Sequence, residues 1–331
     1  MSGKMTRVAL IMGGRSRERE VSLASGSEVL AHIDRDRFEV AVYDPAEDLG
    51  RLAEDAAKID LAFLALHGPL GEDGAMQGFC EMIGLPYTGS GVLSSAMAMD
   101  KEIAKRIYRE AGLPVAPDLV VNRQSTPHLL ETAKMALHSL GSPLVIKPLR
   151  QGSSVGLAIL EDEQLLAEAL DEVFALDGAA LLEKYLPGRE LTCGVVGLDH
   201  LTALPPIEII PAEGHRFFDY SAKYEPGQSL EICPAEVPVE LYAEVQRLSL
   251  SAHRVLGCRA MSRTDLIFSR GRTYILETNT LPGLTSGSLL PKMVKAYGMS
   301  FTSLISYLAD LALNPGAVEI ESYRDLQERS S

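Results

Sequence analysis

Tyr274-Ile275-Leu276-Glu277-Thr278-Asn279-Thr280-Leu281-Pro282-Gly283-Leu284-Thr285-Ser286-Gly287-Ser288 is the stretch from which the rest of the chain is most readily understood. Its first three residues are apolar and β-favouring, so it begins as a strand. Glu277 and Asn279 follow at alternate positions and project from one face. A carboxylate and an amide oxygen aimed at one point suit a hard cation such as Mg²⁺; taken alone, the pattern equally describes a strand end with a polar face. The residues just before it sharpen the reading. Arg263–Phe268 and Thr273–Glu277 read as the strands of a hairpin turning at Arg270-Gly271-Arg272. An odd, three-residue turn sets Asp265 opposite Glu277 and Arg263 opposite Asn279, both pairs on one face. Three oxygen ligands could then hold a divalent metal between two phosphates, with the guanidinium available to an anion forming beside them. A slip of one residue sends Asp265 and Arg263 to the other face, and a surface ion-pair ladder is the plain alternative.

The 331 residues exceed what one hydrophobic core usually holds and imply two or three domains. With 46% hydrophobic and 23% charged residues the composition is that of a soluble globular protein. The net charge of -14 argues against nucleic acid or anionic membrane as the main partner, while leaving anionic small substrates open. No uncharged apolar run approaches the ~20 residues of a spanning helix. The N-terminus enters a strand at once, without space for a signal peptide. Cys80, Cys193, Cys233 and Cys258 lie far apart and lack metal or redox spacing, as expected of reduced thiols in a cytoplasmic protein.

Val8–Met12, Glu39–Tyr43 and Leu61–Leu66 read as strands separated by helices at Val21–Ile33 and Leu49–Ala57, an order that implies a parallel sheet. Ligands bind such sheets at the C-terminal strand ends. The loops there are Gly13-Gly14-Arg15-Ser16-Arg17-Glu18-Arg19-Glu20, which lacks the nucleotide-loop fingerprints, and His67-Gly68-Pro69-Leu70-Gly71-Glu72-Asp73-Gly74. A packed or capping role is the default for His67. A helix over Lys101–Ala111 stops at Gly112 before Pro114 and Pro117 and marks a boundary. Strands follow at Asp118–Val121 and Leu144–Lys147, with a helix within Thr132–Leu140 between them. The loop Arg150-Gln151-Gly152-Ser153-Ser154-Val155-Gly156 fits either a phosphate flap or an ordinary Gly/Ser hairpin. Beyond a helix at Glu163–Phe174, the strand Ala180–Lys184 ends in Glu183-Lys184-Tyr185-Leu186. Its backbone and Leu186 could meet a flat base, with Glu183 and Glu190 taking the base's donors and a ribose. Pro211–Cys233 has no periodicity but four aromatics, which suits an ordered lid. Helices at Val239–Leu256 and Phe301–Leu313 complete the pattern.

Taken together, these segments resemble the D-alanine–D-alanine ligases of the ATP-grasp superfamily nearly end to end. The resemblance rests on Gly13-Gly14 with Glu18 through Gly26, His67-Gly68 with Gly71 through Gly74, Pro86 through Gly91, and Met99-Asp100-Lys101. It continues in Lys147-Pro148 with Gly152 through Gly156, Glu183-Lys184, Lys223-Tyr224, Arg263-x-Asp265 and Glu277-x-Asn279-Thr280-x-Pro282-Gly283. It implies an α/β (α+β overall) fold of three domains: an N-terminal parallel-sheet domain (1–100), a central ATP-grasp domain (101–187), and a C-terminal ATP-grasp domain (188–331) with a lid at 211–233.

The resemblance further implies ATP and two Mg²⁺ (or Mn²⁺) as cofactors, D-alanine as substrate, and a homodimer. It assigns Lys101 and Lys147 to the ATP phosphates, the 150–156 loop with Ser154 to their cover, Glu183, Lys184 and Leu186 to adenine, and Glu190 to ribose. Asp265, Glu277 and Asn279 hold the metals, and Lys223 meets the transferring phosphate. Arg263 and the N–H of Gly283 stabilise an oxyanion. Glu18 binds the first D-alanine in a triad with Ser153 and Tyr224, and His67 lies nearby. Ser288 and the N–H of Leu289 take the carboxylate of the second. Two positions depart from the family's usual residues, Ser262 and Thr278, and both alternate away from the metal face. Lys223-Tyr224 favours an amine acceptor over D-lactate. D-serine or D-lactate as acceptor, and an ATP-binding module without ligase chemistry, are the competing readings; a nicotinamide oxidoreductase is disfavoured by the missing glycine fingerprint.

Overall fold

The structure is a computed structural model that describes residues 5–152, 156–211, 229–314, 316 and 318–324. In the first hundred residues β1 (Thr6–Ile11) lies between β2 (Phe38–Tyr43) and β3 (Leu61–Leu64), all parallel. A central parallel strand is buried on both faces and reads as a continuous apolar run; Val8 to Ile11 are each at most 2% exposed. Helices α1 (Arg19–His32), α2 (Leu49–Asp55) and α3 (Ala75–Met82) surround this sheet. Next, α4 (Val92–Met99) and α5 (Lys101–Glu110) abut at Asp100, whose carboxylate caps α5 by accepting from the N–H groups of Glu102 and Ile103.

The second sheet is antiparallel, in the order β4 (Asp118–Asn122), β7 (Ala179–Lys184), β5 (Leu144–Pro148), β6 (Ala158–Leu160). Helices α6 (Leu129–Leu140) and α7 (Glu163–Asp177) share its core. The third sheet runs β11 (Ser229–Ile232), β10 (Ile207–Pro211), β8 (Arg189–Gly197), β12 (Ala260–Ser269), β13 (Arg272–Asn279), with β9 (Thr202–Ala203) paired to β8. Helix α8 (Val239–Val255) packs on its back together with Ala104 and Tyr108 of α5. Helices α9 (Leu289–Ala296) and α10 (Phe301–Leu313) join β1–β3 to the third sheet through one continuous apolar core.

The expected strands and helices are present, with ends displaced by a few residues. Helices α3, α4 and α9 are additions to the sequence reading. One expectation needs correcting: Ser229–Ile232, at the end of the aperiodic 211–233 stretch, is a strand paired with β10. A four-residue edge strand carries too little pattern to be seen without its partner. The remainder of that stretch, 212–228, lies outside the described residues.

The hairpin also differs in how its register arises. Its turn has two residues, Arg270 and Gly271, both at positive φ (50° and 81°), and Ser269 faces Arg272. Such mirror-image turns match the twist of the strands they join. Continued unbroken, that register would set Asp265 against Leu276 and turn Glu277 to the back of the sheet. A β-bulge at Leu276 restores the pairing, so Asp265 faces Glu277 and Arg263 faces Asn279 as expected. The three-residue turn is therefore replaced by a two-residue turn plus a bulge. Leu276 and Glu277 consequently both line the front cavity, while Ile275 and Thr278 are buried.

Candidate active site

A cleft opens between the ends of β5 and β7 and the front face of the third sheet. Its larger, mostly apolar cavity is lined by Lys147, Glu183, Leu186, Glu190, Leu276 and Glu277, with Lys101 and Lys184 also on its wall. A second, more polar cavity is lined by Glu18, His67, Arg263, Glu277, Asn279, Gly283, Ser288 and Leu289. Glu277 belongs to both. The structure thus gathers every described residue of the expected site around one boundary; Ser153, Ser154, Lys223 and Tyr224 lie outside the described residues.

On the apolar side the cavity's charges are largely built in. Glu183, 3% exposed, is held by two lysines: Lys147 Nζ lies 2.5 Å from Oε2 and Lys105 Nζ contacts Oε1. Burial alone would raise the Glu183 carboxyl, but Lys147 and Lys105 outweigh it and hold it at about 2. Burial, together with Lys147, takes Lys105 down to about 8 despite Glu183. Burial works against Lys147 as well, yet Glu183 and Glu277 raise its affinity for the proton. Lys101, at the start of α5, donates to the carbonyl of Gln151 at 2.8 Å and lies 3.5 Å from Glu277 Oε2.

At the boundary, the Arg263 fork donates to both oxygens of Asp265 at 2.8 Å. Thr192 donates to Asp265 Oδ1 at 2.7 Å, and Asn279 Nδ2 reaches Oδ2 at 3.4 Å. No group of three or more His, Cys, Asp or Glu side chains suited to a metal occurs among the described residues. The candidate ligands are two carboxylates and an amide, all oxygen donors on one sheet face, and that set fits Mg²⁺ or Mn²⁺ better than Zn²⁺.

On the polar side, local sequence explains each placement. Ser22 accepts from the N–H of Gly13 at 2.8 Å and donates to the carbonyl of Ala65 at 2.6 Å, tying α1 to the ends of β1 and β3. Glu18, immediately before α1, is thereby fixed facing the cleft and is 8% exposed. A Cβ on Gly152 would stand 2.5 Å from Glu18 Oε1, so a larger residue there would have to displace the Glu18 carboxylate. His67 is buried between Ser25 Oγ, 2.9 Å from Nε2, and Glu72 Oε1, 3.3 Å from Nδ1. Ser25 also accepts from the N–H of Leu284 at 3.3 Å, linking His67 to the Pro282–Ser288 loop. Ser288 Oγ accepts from the N–H of Thr285 at 3.2 Å, and Leu289 opens α9, whose first amides have no intrahelical acceptor. Such a helix start receives a carboxylate well.

The two departures noted in the sequence lie on the back of the sheet. Ser262 Oγ is 2.7 Å from His253 Nδ1, and Thr278 Oγ1 accepts from Tyr108 at 2.8 Å and lies 3.0 Å from Thr264 Oγ1. Burial, aided by Arg254, lowers His253 to about 4. Sequence reasoning missed Lys105, Ser25, Glu72, Thr192 and Leu276 as site neighbours. Only Lys105 carried a local signal: it lies four residues after Lys101, hence on the same helix face.

Comparison with known proteins covers most of the chain. The family description "D-ala D-ala ligase N-terminus" matches residues 7–50 and 44–90, and "D-ala D-ala ligase C-terminus" matches 107–310. A D-alanine--D-alanine ligase of Syntrophobacter fumaroxidans is 50% identical over 313 residues, 95% of this chain and 99% of that protein. The structure of a D-alanine--D-alanine ligase from Bacillus anthracis complexed with ATP is similar at a TM-score of 0.80 and 35% identity, covering 93% of this chain and 97% of that one. The VanG D-Ala:D-Ser ligase from Enterococcus faecalis is similar at a TM-score of 0.79 and 31% identity, covering 93% and 100%.

Proposed function

The chain belongs to the D-ala D-ala ligase family, and from that membership we propose that it joins two D-alanines into D-alanyl-D-alanine, converting ATP to ADP, for peptidoglycan precursor synthesis. The observation that carries this reading is the meeting of two cavities at Glu277. Activating a carboxylate with phosphate requires nucleotide and amino acid to touch at one boundary.

In this reading the apolar cavity takes ATP: Glu183, the backbone of Lys184 and Leu186 meet adenine, Glu190 the ribose, and Lys101 and Lys147 the phosphates. Asp265, Glu277 and Asn279 would hold two Mg²⁺ or Mn²⁺; bound there, the ions neutralise charge where phosphate and carboxylate approach. Glu18 pairs with the ammonium of the first D-alanine, with His67 beside it. The carboxylate of that D-alanine attacks the γ-phosphorus, ADP leaves, and an acyl phosphate forms. The amine of the second D-alanine, its carboxylate held by Ser288 and the N–H of Leu289, then attacks the acyl carbon and phosphate departs. Arg263 and the N–H of Gly283 stabilise the oxyanion of that step. Ser153, Ser154, Lys223 and Tyr224 keep the roles that the family resemblance gives them.

We further propose the division at 1–100, 101–187 and 188–331, a homodimer, and a cytoplasmic location. No described helix is long and apolar enough to cross a membrane. The test is ADP release coupled to product identification. ADP release with D-alanine and not L-alanine, with dipeptide as product, is expected. An ester, or preferential D-alanyl-D-serine formation, would overturn the acceptor assignment.

A further inference from the structure

Lys105 has no part in the mechanism above, yet it is 1% exposed and holds two carboxylates. Asp118 and Glu183 stand directly opposite each other on β4 and β7, and both side chains are nearly buried. Directly paired like charges repel, and in a buried setting one of the two would take up a proton. Lys105 bridges the two and works against this alongside Lys147 and Arg109: its ammonium contacts Glu183 Oε1 and lies 3.0 Å from Asp118 Oδ1. Arg109, one turn further along α5, contacts Asp118 as well. Glu183 in turn reaches the wall of the nucleotide cavity, with Lys147 on its other oxygen.

The protonation state of Glu183 decides what the cavity can read. An ionised carboxylate only accepts hydrogen bonds, whereas a protonated one also donates. Adenine presents an amine donor where guanine presents a carbonyl acceptor. We propose that Lys105 is the positioning residue that sets nucleobase choice, by keeping Glu183 an acceptor-only group that takes adenine and refuses guanine. The inference rests on the assignment of Glu183 to the base. Lys105 itself touches no substrate; it acts through Glu183.

The experiment compares kcat/KM for ATP and GTP in the full enzyme, using dipeptide formation as the readout. Lys105→Met is expected to lower the ATP/GTP ratio by about tenfold or more, chiefly through a higher KM for ATP. Adding Asp118→Asn to it removes the opposing carboxylate and should recover part of the lost ratio. Lys105→Gln, which removes the charge but keeps a polar side chain between the acids, should lower the ratio in the same direction by less, and serves if the Met variant does not fold. A purely structural lysine would depress both nucleotides in parallel and leave the ratio unchanged, and that result overturns the proposal. Glu183→Gln separates the two levels. If it narrows the ratio while the Lys105 variants do not, Lys105 is not the determinant. If it also leaves the ratio unchanged, Glu183 does not read the base and both assignments fall.

Discussion

The two faces of the β12–β13 hairpin are built from alternating residues of the same strands, yet they are held in different ways. On the front, Arg263, Asp265, Glu277 and Asn279 are partly accessible; Arg263 grips Asp265 at 2.8 Å, but Lys101 stands 3.5 Å from Glu277 and Asn279 3.4 Å from Asp265. On the back, Ser262, Thr264 and Thr278 are at most 3% exposed, with Ser262 on His253 at 2.7 Å, Thr278 on Tyr108 at 2.8 Å and Thr264 on Thr278 at 3.0 Å. The front can exchange its partners for a ligand; the back cannot open without disturbing the core. A strand can thus be anchored through one set of side chains while the set between them stays available for chemistry.

That contrast is sharp enough to break. Glu277→Gln on the front should lower kcat by about a thousandfold or more, with a melting temperature close to that of the parent; activity near normal at limiting Mg²⁺ would remove Glu277 from the metal site. Ser288→Ala, where the loop beyond the hairpin ends, should raise the KM for the acceptor D-alanine about tenfold, as loss of a hydrogen bond to a charged group does. Unchanged acceptor KM would place that carboxylate elsewhere. On the back, His253 should appear in stability alone. Its folded value of about 4 lies below the usual 6.5. The native state therefore holds the neutral ring while the unfolded chain takes up a proton, and stability is lost as pH falls from 6.5 towards 4. The loss is up to roughly 3 kcal/mol. Urea midpoints from pH 4.5 to 7 should fall more steeply for the parent than for His253→Gln, and equal slopes would show that the ring is not kept neutral. Smallest of all, Thr278→Val should cost about 1 kcal/mol and leave kcat/KM within about twofold; a large kinetic defect would mean that the faces are coupled.

How much of this was legible follows from where the information resides. The parallel sheet was readable because β1 and β3 are buried on both faces and their apolar runs are unbroken. The front face was readable because polar side chains recur at spacing two on both strands of one hairpin, and the period of a strand brings all four to the same side. The bulge was not: Leu276 is one apolar residue among three, and only the pairing with β12 distinguishes it. The expected register was right although the turn was a residue shorter than assumed, because the bulge supplies the missing residue. Lys105 looked like an ordinary lysine of an amphipathic helix. Its burial depends on Glu183, 78 residues away, and no local pattern encodes that distance.

The bulge has a consequence for anyone who would engineer this protein. Arg270, Gly271 and Leu276 are the hairpin's unpaired residues, and the pairs between turn and bulge set the phase of everything downstream. Deleting Leu276 alone removes the bulge and still brings Glu277 opposite Asp265, because the pairs from Ser269–Arg272 to Leu266–Ile275 are unchanged. A three-residue turn on an unbulged strand would present Glu277 and Asn279 to Asp265 and Arg263 as now, and would forfeit only the leucine on the wall of the apolar cavity. Related chains could therefore differ in hairpin length yet keep one active-site phase, provided that each insertion or deletion falls at an unpaired position, in the turn or at the bulge.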